Sequence, residues 1–104
     1  MTTKKSKDAT DKFFQKLLGT ESLAKTIEAI RLADEVTLTD FARKLGISKQ
    51  TLCDIEKNRT LVPPERAQRF AKKLGYSEKV FIKLAVQDLL AKSGMKYRVE
   101  LEAA

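Results

Sequence analysis

The side chains best suited to chemistry are gathered in one stretch, LTDFARKLGISKQTLCDIEKNR, running from Leu38 to Arg59. Its apolar members, Phe41, Ala42, Leu45, Leu52 and Ile55, recur at helical spacing on either side of Gly46 and Ile47. Among and after them stand Lys49, Gln50, Thr51, Asp54, Lys57, Asn58 and Arg59, which offer hydrogen bonds and charge. The chain has no His, no Trp and one Cys. A Ser-His-Asp triad, an imidazole acid or base and an ordinary zinc site are therefore excluded. One Cys cannot form an internal disulfide or a CxxC pair, which implies a reducing, cytoplasmic setting. No catalytic constellation stands out beyond isolated Ser, Thr and carboxylates, so no enzyme activity, cofactor or metal is expected.

Composition narrows the class further. The 104 residues carry 21 Lys plus Arg against 14 Asp plus Glu, a net charge of +7, with 42% hydrophobic residues. That suits one small domain with a modest core, and the surplus suggests a polyanionic partner such as nucleic acid. No apolar run approaches the ~20 residues that span a bilayer, and Met1 to Lys7 lacks the apolar stretch of a signal peptide. The charge is uneven. Residues 1–20 are net +3, residues 21–36 net −2, residues 37–62 net +2 and residues 63–104 net +4. The first twelve residues, MTTKKSKDATDK, show no hydrophobic period. The expected organisation is a flexible basic arm over 1–20, a helical domain over 21–94 and a C-terminal tail over 95–104. The arm is either a solvated tail or a grip on a nucleic-acid backbone or a partner.

Five helices must position the central stretch. Leu23, Ile27, Ile30 and then either Ala33 or Asp34 follow a 3.6-residue period from Ser22 to about residue 34. Thr37 opens a short helix, with Asp40 as a weak capping box, and Gly46 stops it. Ser48 caps a third helix reading to about Asn58, with Leu52 and Ile55 inward. Pro63 and Pro64 announce a fourth, lined by Ala67, Phe70, Ala71 and Leu74 and ended by Gly75. Ser77 caps a fifth, running to about Lys92 with Val80, Phe81, Leu84, Ala85 and the Leu89-Leu90 pair, a core face first, whose apolar arc is wider than one packing needs and so makes part of Val80 to Leu90 a candidate dimer surface. The second and third helices, joined by one glycine, form a helix-turn-helix. Ala42 must be small for the helices to cross closely, Gly46 permits the turn, and Ile47, Leu52 and Ile55 fill the angle between them. A second helix held this way, with a polar outer face, can enter the ~12 Å major groove of DNA while the first spans the backbone. The last segment differs: Met95, Tyr97, Val99 and Leu101 alternate with Lys96, Arg98, Glu100 and Glu102. Period two predicts a short C-terminal strand that needs a second copy to pair with, so Tyr97, Val99 and Leu101 become dimerisation candidates. The competing reading is a frayed tail.

Residues 22 to 92 resemble the lambda-repressor-like, or Xre-type, helix-turn-helix DNA-binding family. The resemblance is carried by Ala42, Gly46, Leu52, the Ile55-Glu56 pair, Leu74-Gly75 after a proline-started helix, and Arg31. It implies an all-α, five-helix domain. It also implies base readout by Lys49, Gln50 and Thr51 at the start of the recognition helix, with Asp54 one turn on. Gln can pair with adenine, Lys with guanine, and the Thr methyl can touch that of thymine. Lys57, Asn58 and Arg59 resemble phosphate contacts, with Arg43 and Lys44 as further candidates. Two positions depart from the family pattern. Leu38 stands where relatives often carry a DNA-touching Gln, and Asp54 where many carry Arg or a neutral residue. An acid there accepts only from a cytosine amino group, or it holds Lys57 or Gln50 in place.

Outside that face, Glu56 is expected to pair with Arg31 or cap a neighbouring turn, and Cys53 to be a partly buried filler. Arg66, Arg69, Lys72 and Lys73 form either a phosphate-facing stripe or a solvated face. The implied function is a homodimeric repressor on an inverted repeat of double-stranded DNA, with no small-molecule ligand. Small proteins of this kind also resemble autoregulating antitoxins, which adds a toxin protein as a partner. The alternative is a protein-interaction module that uses the same fold without DNA.

Overall fold

A computed structural model describes residues 22–104; the basic arm expected over 1–20 lies outside them. Five helices follow in order: α1 (Leu23–Ala33), α2 (Leu38–Leu45), α3 (Lys49–Glu56), α4 (Pro64–Leu74) and α5 (Glu78–Lys92). Each starts where a side chain or a proline deals with the unpaired N-terminal amides. Ser22, Thr37, Ser48 and Ser77 accept from the backbone N–H of Lys25, Asp40, Thr51 and Val80, and Pro63-Pro64 opens α4. The Asp40 carboxylate does not complete the capping box; it takes Arg43 at 3.4 Å instead.

The core is built from one stripe of each helix: Leu23, Ile27 and Ile30; Phe41, Ala42 and Leu45; Leu52 and Ile55; Ala67, Phe70 and Ala71; Phe81, Leu84 and Ala85. Phe41, Phe70 and Phe81 are its largest fully buried side chains, each contributing about 1.5–3 kcal/mol by leaving water. The α1 stripe ends at Ile30, because Ala33 falls in the turn beyond the packed face and is exposed. α4 and α5 form the most extensive helix pair, while α1 supports α3 and α5, and α4 supports α2. The α2–α3 unit is thus braced from two sides.

Two expectations need correction. The recognition helix stops at Glu56 rather than near Asn58. Asn58 adopts a left-handed backbone (φ 61°), and the Arg59 N–H closes the helix end on the Asp54 carbonyl at 2.8 Å. Asn is among the few side chains that tolerate this geometry, so the turn starts two residues early. The second correction concerns the tail. Among the described residues no strand forms, and 95–104 is without regular secondary structure. A strand needs a neighbouring backbone, and a single chain supplies none here. On α5, Leu90 is only half-buried and Leu89 is 51% exposed, so that pair does not line the core.

Candidate nucleic-acid interface

The turn between α2 and α3 sets the geometry of the candidate interface. Gly46 sits at φ 76°, where a Cβ would cost roughly 1–2 kcal/mol. The Gly46 N–H meets the Arg43 carbonyl at 3.1 Å, and the Ile47 N–H reaches back to Ala42 at 3.0 Å. Lys73 on α4 donates from Nζ to the Leu45 carbonyl at 3.2 Å, and a Cβ at Gly46 would fall 2.5 Å from that Nζ. α4 therefore clamps the turn directly. Ala42, Leu52 and Ile55 are buried between the packed helices, and Ile47 is half-buried against the same core. Leu38 is half-buried against the core, which accounts for an apolar residue at this position.

The inner side of α3 ends in a buried ion pair. Arg31 donates from Nε to Glu56 Oε2 at 2.8 Å and from Nη2 to Oε1 at 3.0 Å. Its Nη1 holds the Val36 carbonyl at 3.2 Å. The Glu56 carboxylate beside it holds the guanidinium pKa above its ordinary value. Glu56 is thus Arg31's partner and ties α3 to α1.

The outer side carries the readout candidates. Lys49 and Gln50 are exposed, whereas Thr51 and Asp54 are half-buried. Asp54 Oδ1 accepts twice: from Gln50 Nε2 at 2.9 Å and from Arg59 Nη1 at 2.9 Å. The departure from the family pattern has a physical role: Asp54 braces Gln50, as one of its two expected uses, and its second partner is Arg59 rather than Lys57. The contact orients the Gln50 amide, leaving Oε1 as the acceptor turned away from Asp54. Ser48 Oγ donates to Thr51 Oγ1 at 2.7 Å, so the Thr51 hydroxyl is also engaged locally. Lys44, Lys57 and Asn58 are exposed, and Arg43 pairs at the surface with Asp40. Cys53 is a half-buried free thiol, in keeping with a filler role.

A helix-turn-helix family model matches residues 27–81, more than half of the chain. The chain belongs to that family, in its lambda-repressor-like, Xre-type form. This helix-turn-helix protein is therefore a DNA-binding transcription regulator by class. Comparison with curated proteins and with solved structures returns no match. Among its described residues no helix is long and apolar enough to cross a membrane. Two contacts in this helix-turn-helix protein have no counterpart in the sequence pattern: Lys73, expected on a phosphate-facing stripe or a solvated face, holds the turn, and Asp88 holds the start of α1. Asp88 of α5 accepts from the Leu23 N–H at 3.0 Å, and burial pushes its carboxyl above the usual aspartate range. Partners 28 and 65 residues away in sequence leave no local signal.

Proposed function

We propose that the chain represses transcription as a homodimer, each copy placing α3 in the major groove of one half-site of an inverted repeat. The half-sites would lie about one DNA turn apart. Lys49, Gln50, Thr51 and Asp54 serve base readout, with Asp54 acting through Gln50. Arg43, Lys44, Lys57, Asn58 and Arg59 serve the phosphates, fixing position and salt dependence without setting sequence preference. The observation that carries this reading is the Gln50–Asp54–Arg59 network. In it one carboxylate on the outer face of α3 holds the side chain of Gln50 and the guanidinium of Arg59 together, side by side at the surface that would meet DNA.

Titration of the full chain on DNA from upstream of its own gene, at two salt concentrations, tests the proposal. The expected result is tight binding to a palindrome, with log affinity falling by about 0.9 per phosphate contact per decade of salt. Gln50→Ala should cost about 1–3 kcal/mol on the specific site and little on random duplex. Salt-independent behaviour and indifference to Gln50→Ala would favour the protein-interaction module instead. The reading extends to an autoregulating antitoxin, for which the same upstream DNA should be bound more tightly once a toxin from a neighbouring gene is added.

A further inference from the structure

The chain's last residues carry a pattern that the DNA-facing side does not use. Past Gly94, Gln87 of α5 receives the tail with its side-chain amide. Nε2 donates to the Tyr97 carbonyl at 2.5 Å, and the Val99 N–H donates to Oε1 at 2.8 Å. A carbonyl at one residue and an N–H two residues on, both taken by one flat amide, is how a parallel neighbouring strand holds an extended chain. In such a chain, alternate residues direct their backbone groups to opposite sides. If the chain runs extended past this hold on Tyr97 and Val99, the N–H and C=O groups of Arg98 and Glu100 point away from Gln87. Among the described residues nothing hydrogen-bonds them. An edge of this kind is a template for another backbone.

We propose that this edge pairs antiparallel with the same edge of a second copy, about a two-fold axis at Val99. The inference rests on the homodimer reading above and assigns its interface. Charge selects the register. With the axis at Val99, Arg98 lies opposite the partner's Glu100 and Lys96 opposite the partner's Glu102, each pair repeated by symmetry. Moving the axis to residue 97 sets Lys96 against Arg98, moving it to 101 sets Glu100 against Glu102, and axes at 98 or 100 oppose identical charges. A parallel, in-register pair does the same at every charged position. Only the Val99 axis opposes unlike charges throughout, and like charges directly opposite destabilise a sheet. The same axis makes Arg98 and Glu100 hydrogen-bonded partners across the two chains, using the four backbone groups that Gln87 leaves unpaired. Burial fits as well. Val99 and Leu101 are half-buried on their own chain, whereas Tyr97 is 71% exposed and comes to lie across from the partner's Leu101. A free two-stranded ribbon is marginal in water, and here Gln87 and α5 hold each strand from behind.

Sedimentation equilibrium of the full chain without DNA tests the interface, using wild type, R98E, E100R and the double variant R98E/E100R. Both positions are exposed, so circular dichroism should show all four chains equally folded. Each single reversal turns two attractive pairs into repulsive ones and should raise the dimer dissociation constant roughly tenfold or more, with the double variant returning to within about threefold of wild type. A dimer equally tight in all four chains overturns the interface and leaves the homodimer reading standing. Single variants that weaken the dimer without recovery in the double variant overturn the register and with it the proposal. A monomeric wild type overturns both the interface and the homodimer.

Discussion

Two arginine–carboxylate pairs flank α3 with nearly equal lengths and opposite surroundings. Arg31 and Glu56 meet at 2.8 Å on the inner side, with side chains only 14% and 5% exposed. Arg59 and Asp54 meet at 2.9 Å on the outer side, at 55% and 32% exposure. Bond length does not separate their roles; water does. A buried pair has surrendered its hydration and depends on its partner, whereas an exposed pair exchanges one partner for water at small cost. The inner pair therefore sets where α3 sits against α1. The outer pair contributes little to stability and arranges the donors that face outward.

The comparison breaks or holds on three substitutions. Glu56→Ala leaves the Arg31 guanidinium buried without its carboxylate and should cost about 3–5 kcal/mol in urea denaturation. A loss below ~1 kcal/mol would make the two pairs equivalent and end the distinction. Asp54→Ala should cost less than about 1 kcal/mol of stability by the same measurement. It should nevertheless free the Gln50 amide, so that selection from a randomised duplex pool loses base preference at the position lost by Gln50→Ala. Wild-type preference in the Asp54 variant would show that the brace has no part in readout. The smallest effect belongs to Asp88, a half-buried carboxylate between these extremes. Burial raises its pKa in the folded chain, so the stability it contributes is full below the unfolded aspartate pKa and is lost as pH rises through the folded value. Asp88→Asn keeps an acceptor for the Leu23 N–H without the charge. Its melting midpoint should equal or exceed that of wild type at neutral pH, the gap closing in acid below the usual aspartate range. A variant that melts lower at neutral pH would mean that the charge on the α1 N-terminus outweighs burial.

Much of this was legible in residue order because its causes are local. Caps at Ser22, Thr37, Ser48 and Ser77, the Gly46 turn and the Leu52–Ile55 stripe depend on neighbours within a helical turn. The Arg31–Glu56 pairing was legible as well, through the resemblance that brought both residues into one motif. Less was visible where two local tendencies compete. Asn58 could extend α3 or reverse the chain, and the left-handed turn won. Leu89 and Leu90 read as core by composition, but the buried face of α5 is the one carrying Phe81, Leu84 and Ala85, which leaves Leu89 exposed and Leu90 half-buried.

The order of residues by itself determined the five helices, the helix-turn-helix and its family, and the absence of imidazole chemistry, since each follows from residue type and short-range period. Only the tertiary structure decided that Asp54 takes Arg59 rather than Lys57 beside Gln50, that Lys73 clamps the Gly46 turn and that Gln87 holds the tail with one edge open. Those contacts depend on side-chain rotamers and on helices brought together from distant parts of the chain, and neither leaves a periodic trace in the sequence.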